Sequence, residues 1–223
     1  MNMDKNFKNY ALVIFDWDGT LMDSVGRIVS SMQSAARHCK LTIPTNTAVK
    51  SIIGLSLPVA LGQLFPHLST EECDEVIEQY KYEYREGDNT ATPLFENALG
   101  LLTALKGEQR ILAVATGKGR EGMQRVFGVT DTEHYFNASR CAGEATSKPS
   151  PDMLLSLLAE LGMTAEQAVM IGDTSHDMQM ALSAGIDSIG ITLGVDNRET
   201  LNKYQPVAVV DSLNELQQVL LPI

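Results

Sequence analysis

Five short runs of apolar and β-branched residues recur along the chain, and each leads into polar or glycine-containing residues. They are ALVIF (11–15), ILAVAT (111–116), AVMIGD (168–173), SIGIT (188–192) and VAVV (207–210). Runs of this length and composition predict β-strands. The first run is apolar at nearly every position, which is typical of a central strand that is covered on both faces.

Apolar residues at helical spacing lie between the later runs. They are Leu99, Leu102 and Leu105; Leu154, Leu155, Leu158 and Leu161; and Met178, Ala181, Leu182 and Gly185. Ser150-Pro151 precedes the second set and predicts the start of that helix. Strands that alternate with helices predict parallel βαβ units, so we expect an α/β fold with a doubly wound parallel sheet.

The stretch from 24 to 90 has a different pattern and contains no strong strand signal. Apolar residues between Ile28 and Ala36 fit one helix, and Ser69-Thr70-Glu71-Glu72 predicts a capping box that starts a long helix reaching about Arg85. The chain is therefore predicted to divide into a core, 1–22 and 91–223, and an inserted helical domain, 23–90.

Composition and charge limit the classes of partner. The chain has 223 residues, 44% of them hydrophobic, and a formal net charge of −11, which disfavours nucleic acid and anionic membranes. It has no apolar run of 18 residues, and its first ten residues, MNMDKNFKNY, lack the apolar segment of a signal peptide. Three widely spaced cysteines suggest reduced thiols. We expect a cytoplasmic protein, a monomer with a homodimer as the alternative.

Polar residues that could take part in catalysis or ligand binding lie at the predicted strand ends or in adjacent loops. They are Asp16, Asp18, Thr116, Lys148, Asp173 and Asp177. Ligands of open parallel sheets bind at the carboxyl ends of the strands, so these side chains are expected to converge at one edge.

This set of residue types suits phosphate chemistry. Carboxylates and a substrate phosphate are typical ligands of Mg²⁺. Thr116 offers a hydroxyl, Gly117 lets backbone N–H groups approach a phosphate, and Lys148 supplies a positive charge. One carboxylate can attack phosphorus while a second protonates the leaving oxygen and then activates water. The alternatives are that Asp16 and Asp18 form a simple turn at the strand end, and that Asp177 only lies in the first turn of a helix.

The order DWDGT (16–20), Thr116, Lys148 and GDTSHD (172–177) resembles the haloacid dehalogenase-like phosphohydrolase superfamily. Within it, the chain looks similar to phosphoglycolate phosphatases and to the β-phosphoglucomutase branch. The resemblance covers essentially the whole chain. It implies a Rossmann-like core with an α-helical cap inserted after the first strand, which matches the placement of 23–90.

The resemblance also implies roles for individual residues. Asp16 is expected to be the nucleophile, and Asp18 the general acid and base, with its backbone carbonyl on Mg²⁺. Thr116 and the Gly117 amide are expected to bind the phosphoryl group, and Lys148 to stabilise its charge. The metal set is then Asp16, Asp18, Asp173 and Asp177, with a direct role for Asp177 left open.

The cap is expected to carry specificity. The stretch from Ile53 to Pro58 resembles a glycine-centred cap loop that reaches over the site, so Gly54 and Leu55, with Gly117 and Lys118 from the core, are predicted to bind substrate. An ordinary helix–helix turn is the alternative. Lys50 and Arg27 are candidates for a second anionic group of the substrate.

The sequence thus predicts a Mg²⁺-dependent phosphatase that acts on a small phosphorylated metabolite through an aspartyl-phosphate, similar to phosphoglycolate phosphatase. A phosphomutase of the β-phosphoglucomutase type is the first alternative; those mutases usually carry Val where this chain has Thr20, which favours hydrolysis. A pyrophosphatase or nucleotidase remains open, and a non-catalytic module that binds a phosphorylated ligand is the remote alternative.

Overall fold

The computed structural model describes residues 9–221. The expectation that the first ten residues lack the apolar segment of a signal peptide concerns a stretch that lies mostly outside the described residues. Six strands form one parallel sheet with the order β3-β2-β1-β4-β5-β6. They are β1 (Leu12–Phe15), β2 (Ile111–Gly119), β3 (Ala138–Ala142), β4 (Ala168–Gly172), β5 (Asp187–Ile191) and β6 (Ala208–Val210). The predicted α/β class and all five predicted strands are confirmed.

Ten α-helices accompany the sheet in the described part of the chain. They are α1 (Val25–His38), α2 (Asn46–Lys50), α3 (Leu57–Leu64), α4 (Thr70–Tyr82), α5 (Ala98–Gly107), α6 (Arg120–Thr130), α7 (Asp152–Leu161), α8 (Ser175–Ala184), α9 (Arg198–Asn202) and α10 (Leu213–Leu220). In this part of the chain, no helix combines the length and the apolar character that crossing a membrane requires.

Successive residues of β1 enter two different apolar clusters, which shows that the sheet is covered on both faces. Val13 and Phe15 belong to the cluster that contains residues of α5, α6 and α10. Leu12 and Ile14 belong to the cluster that contains residues of α7 and α8. Because side chains alternate along a strand, this is the arrangement of a doubly wound sheet.

The edge strand β3 has no counterpart among the predicted strands. Its sequence, ASRCA, has no β-branched residue, and only Cys141 is fully buried. An edge strand needs apolar packing at few positions, so it lacks the hydrophobic run that identifies a central strand.

The predicted helices of the core are present, but the leucine stripes include exposed positions. Leu99, Leu155 and Leu182 are 46%, 46% and 64% exposed. Spacing alone identifies a helix, whereas the direction in which each leucine points depends on how the helix docks. Helix α7 also begins at Asp152, with Pro151 in the N-cap position rather than in the first turn.

Between β1 and α5, the structure is helical and has its own apolar cluster, centred on residues such as Met32, Val49 and Leu61. The predicted capping box is present, since Ser69 and Glu72 bond each other's backbone N–H groups. Helix α4 ends at Tyr82 and continues as a π-helical turn, Glu83–Gly87, rather than as regular helix to Arg85. The boundaries 23–90 stay a prediction; we call this helical segment the cap.

The chain leaves and re-enters the core through two segments that lie side by side. The Asp23 N–H donates to the Pro93 carbonyl over 2.9 Å, and Met22 forms an antiparallel bridge with Leu94. This pairing places the two predicted boundaries of the inserted domain, near 23 and 90, close to each other.

Candidate active site

A buried lysine joins two of the predicted acids. The Lys148 ammonium donates to Asp16 Oδ1 and to Asp177 Oδ1, each over 2.6 Å. Lys148 and Asp16 are each only 1% exposed. Asp16 directly follows β1, and its backbone N–H donates to the carbonyl of Ile171 in β4, which fixes it at the carboxyl edge of the sheet.

Three carboxylates form a cluster that fits a divalent cation. Oxygen atoms of Asp16, Asp173 and Asp177 lie within 4.8 Å of one another. Asp16 Oδ2 is buried and has no hydrogen-bond partner among the described residues, so it has capacity for one more ligand. Three carboxylates against one lysine leave a negative excess, and hard oxygen donors of this kind suit Mg²⁺.

Asp173 is held by hydrogen bonds to both of its oxygens. Thr20 Oγ1 donates to Asp173 Oδ1, and the backbone N–H of Val195 donates to Oδ2, each over 2.9 Å. These bonds fix the carboxylate in the cluster with Asp16 and Asp177.

Burial and mutual repulsion shift the protonation of this cluster. Burial raises the pKa of Asp16 to about 7; Lys148 opposes the rise and Asp177 adds to it. Burial also raises the pKa of Asp173 well above its usual value, with Asp16 and Asp177 adding to the effect. Burial opposes the charge on Lys148, but Asp16 and Asp177 outweigh it, so the pKa of the lysine is raised. The site is therefore short of positive charge.

Asp18 stands apart from the three-acid cluster. Its carboxylate accepts a hydrogen bond from Ser24 Oγ over 2.6 Å and lies 3.0 Å from the Lys118 ammonium. Lys118 in turn lies 5.0 Å from the centroid of the Tyr84 ring. The predicted metal ligand of Asp18 is its backbone carbonyl and not its carboxylate. The carboxylate contacts Ser24 and Lys118 instead of the three-acid cluster.

The cap loop lies directly over Gly117, in the last part of β2 after Thr116. A side-chain carbon added at Gly117 would meet the carbonyl oxygen of Gly54, and that of Leu55 at 2.6 Å, so this close approach requires glycine. Gly54 has a φ of 94°, in the region that favours glycine. The Ser56 N–H donates to Ser147 Oγ over 2.9 Å.

A cavity of about 240 Å³ opens between the cap and the core. It is lined by seven of the predicted site residues: Asp16, Asp18, Thr116, Gly117, Lys118, Gly54 and Leu55. Lys148, Asp173 and Asp177 do not line it; they are buried and form the cluster with Asp16. The predicted residues therefore form two groups, one that lines the cavity and one that is buried. Asp16 belongs to both and connects them.

Several supporting residues are absent from the sequence-based set. Thr174 donates its hydroxyl to Asp177 Oδ2 over 2.7 Å and forms a capping box with it at the start of α8. The pattern Thr-Ser-His-Asp could have indicated that box. Thr20, Ser24 and Val195 gave no local signal, because their roles depend on which acid the fold brings near them.

Two residues between the acids have structural roles. Trp17 is buried, and its ring packs edge-on against Phe127 and Phe136 at centroid distances of 5.5 and 6.1 Å. His176 Nε2 lies 3.1 Å from the Ser51 carbonyl oxygen, which is a contact between core and cap. It is not part of the three-acid cluster.

The two cap cations proposed from sequence do not line the cavity. Arg27 donates to the Asp88 carbonyl and lies over the Tyr84 ring, while Lys50 is exposed. Three other arginines, Arg85, Arg120 and Arg125, line it.

Comparison with known proteins agrees with this geometry. Residues 13–191 match the family described as haloacid dehalogenase-like hydrolase. The probable phosphatase IndB of Dickeya dadantii (strain 3937) is 34% identical, over 92% of this chain and 91% of its own length. The tyrosine-protein kinase PtkA of Mycobacterium tuberculosis (strain ATCC 25618 / H37Rv) is 31% identical, over 94% of this chain and 72% of its own.

A solved structure has the same fold. A predicted phosphoglycolate phosphatase from Haemophilus somnus 129pt superposes with a TM-score of 0.82 at 25% identity, covering 95% of this chain and 98% of its own. The predicted resemblance and the expectation of a hydrolase are thereby confirmed. The chain belongs to the haloacid dehalogenase-like hydrolase family.

Proposed function

We propose that the chain is a Mg²⁺-dependent phosphatase that hydrolyses a small phosphate monoester through an aspartyl-phosphate on Asp16. The observation that carries this proposal is the position of Asp16. One of its oxygens is held by Lys148, the other has no hydrogen-bond partner among the described residues, and Asp16 lines the cavity under the cap. The names of the relatives support phosphoryl chemistry.

In the first half of the reaction, an oxygen of Asp16 attacks phosphorus and the bond to the leaving-group oxygen breaks. Asp18, which lines the same cavity, donates a proton to that oxygen. Thr116 and the backbone at Gly117 bind the transferring phosphoryl group. Lys148 holds Asp16 in place and offsets the negative charge of the phosphoryl oxygens.

In the second half, the deprotonated Asp18 accepts a proton from water. The water oxygen attacks phosphorus, the bond to Asp16 breaks, and inorganic phosphate leaves. Ser24 and Lys118 orient the Asp18 carboxylate for both proton transfers through contacts of 2.6 and 3.0 Å.

The carboxylates of Asp16, Asp173 and Asp177 and the backbone carbonyl of Asp18 would hold Mg²⁺. The bound ion supplies positive charge that offsets the negative charge of the phosphoryl oxygens and of the carboxylates. Thr20, Val195 and Thr174 keep the acids in position for this role.

Transfer to an acceptor other than water is the second candidate, because one relative is named a tyrosine-protein kinase and the covalent step would be the same. A mutase would follow the same logic with a sugar hydroxyl as acceptor. Hydrolysis is favoured because no other acceptor group is needed. The cavity of about 240 Å³ is smaller than the roughly 300–1,000 Å³ of drug-sized ligand sites, which favours a small leaving group over a nucleotide.

The test is phosphate release from small phosphate esters with Mg²⁺, with EDTA, and with the Asp16→Asn variant. We expect loss of turnover with EDTA and a loss of at least about 10³-fold in Asp16→Asn, since an amide cannot attack phosphorus. Asp152→Asn makes the same chemical change at an exposed residue of α7 and should keep wild-type activity. Acid-quenched wild-type protein should carry phosphate that hydroxylamine removes. Near-normal turnover by Asp16→Asn would refute the proposal.

A further inference from the structure

Aliphatic side chains make up most of the cap side of the cavity. Its wall is built from aliphatic side chains that also belong to the apolar cluster of the cap: Ile28, Met32, Ile52, Leu55, Leu57 and Ala60. The cap contributes no carboxylate, amide, imidazole, serine or threonine side chain to this lining. The cap residues of this lining that carry polar side-chain groups are Tyr80, Tyr84, Lys81 and Arg85.

This wall is a poor match for a sugar. Each sugar hydroxyl that loses water needs a new hydrogen-bond partner, and burying it without one carries a free-energy cost. A hydrocarbon body, in contrast, is favourably removed from water against the same side chains. The wall therefore selects for a leaving group with an apolar surface of about one ring, which is what a cavity of about 240 Å³ accommodates.

The rest of the lining is rich in positive charge. Lys81, Arg85, Lys118, Arg120 and Arg125 all line the cavity, and Glu121 is the acid that joins Asp16 and Asp18 there. The first four of these cations each have an acidic partner, namely Glu78, Glu121, Asp18 and Glu144 respectively.

Arg125 is different, because the residues that the structure describes include no acid paired with it. It lies on α6, is exposed, and lines the cavity without an acid to occupy its guanidinium. A guanidinium binds an anionic group such as a carboxylate through two parallel hydrogen bonds.

We propose that the substrate is a phosphate monoester whose leaving group combines an apolar body with an anionic end. The body packs against the cap wall, and the anionic end binds Arg125. This inference rests on the proposed phosphatase function and names its substrate class. It separates the substrate from sugar phosphates, which lack the apolar body, and from phosphoglycolate, which has the anionic end without the body.

The test compares phosphate esters of primary alcohols, so that the reactivity of the leaving group stays similar. The probes are 4-carboxybenzyl phosphate, benzyl phosphate, glucose 6-phosphate and phosphoglycolate. Benzyl phosphate should exceed the last two in kcat/KM by at least about tenfold, the effect of burying one ring. The carboxyl group should add up to about fivefold, the upper end of the range for an exposed charged contact.

Two pairs of variants assign these effects. Leu57→Asn places a polar group on the wall and should reduce the preference for benzyl phosphate over glucose 6-phosphate to within about threefold. Val59→Asn lies on the same helix but is exposed and outside the lining, so it should change nothing. Arg125→Gln should abolish the gain from the carboxyl group, while Arg37→Gln, at an exposed position outside the lining, should keep it.

Binding distinguishes failure of this inference from failure of the phosphatase proposal. Calorimetry with Mg²⁺ would rank 4-carboxybenzylphosphonate, benzylphosphonate and 3-phosphonopropanoate, which cannot be hydrolysed. The expected ranking without turnover of any ester supports the ligand class and refutes hydrolysis. Turnover that favours glucose 6-phosphate or phosphoglycolate refutes the ligand class and leaves hydrolysis intact. Equal binding of the three phosphonates, or none, also refutes the ligand class.

Discussion

Replacing Lys148 with methionine removes the positive charge at the centre of the acidic cluster while keeping an unbranched side chain. The ammonium contacts Asp16 Oδ1 and Asp177 Oδ1, each at 2.6 Å, and all three side chains are almost fully buried. Without it, three carboxylates within 4.8 Å of one another have no cation among the described residues. The metal-free protein must then tolerate their repulsion or bind protons.

The size of the effect follows from these distances. Two unit charges at 2.6 Å attract by about 6 kcal/mol at an effective dielectric constant of about 20. The cost of burying the ammonium offsets much of this attraction, and breaking one buried ion pair lowers stability by about 3–5 kcal/mol. We therefore expect Lys148→Met to lower the free energy of unfolding of the metal-free protein by about 3–5 kcal/mol.

Urea denaturation with EDTA at pH 7.5 measures this loss. Lys81→Met is the matched control, because Lys81 also contacts an acid, Glu78, at 2.6 Å but at an exposed position, so its unfolding midpoint should hardly change. Mg²⁺ should restore part of the stability of Lys148→Met, and kcat should fall by about 10²-fold or more. A loss of stability no larger than that of the control would refute this account of the cluster.

The other predictions concern protonation, the cap loop and the metal. Because burial raises the pKa of Asp16 from 3.8 to about 7, the folded protein binds this proton more tightly than the unfolded chain does. The stability that this proton contributes is complete below pH 3.8 and is lost as the pH rises towards 7. In metal-free protein, Asp16→Asn should therefore flatten the dependence of the urea midpoint on pH between these values. An unchanged slope would contradict the raised pKa of Asp16. Gly117→Ala places a carbon against the Gly54 and Leu55 carbonyls and should lower kcat/KM by about tenfold or more, while Gly119→Ala meets open space and should behave as wild type. Equal kinetics of the two variants would show that the cap loop need not approach Gly117. Thr20→Val removes the hydroxyl that holds Asp173 and should raise the Mg²⁺ concentration for half-maximal activity by about tenfold, whereas Thr20→Ser should not; identical metal dependence of the two would exclude this role.

The positions of the principal residues could be predicted because they are tied to local patterns. An apolar run followed by Asp16 and Asp18 marks the end of a central strand, and Asp173 follows β4 in the same way. Thr116 was also predicted to end a strand, but β2 extends beyond it to Gly119. Parallel strands place their carboxyl ends at one edge, so convergence follows from topology without knowledge of any contact. The helical stretch between 24 and 90 was visible for a similar reason, since its periodicity is internal to each helix.

The tertiary structure decided which groups meet. Lys148 is 132 residues from Asp16 and 29 from Asp177, and nothing local to any of them specifies that pairing or assigns Lys118 to Asp18. Helical periodicity predicted α5, α7 and α8, but only docking determines which leucines face the core. Strand β3 lacks the apolar run of a buried strand, because an edge position does not demand it. The apolar wall of the cap and the position of Arg125, which has no acidic partner in the part of the chain that the structure describes, belong to this second group. Each depends on surfaces that only folding brings together.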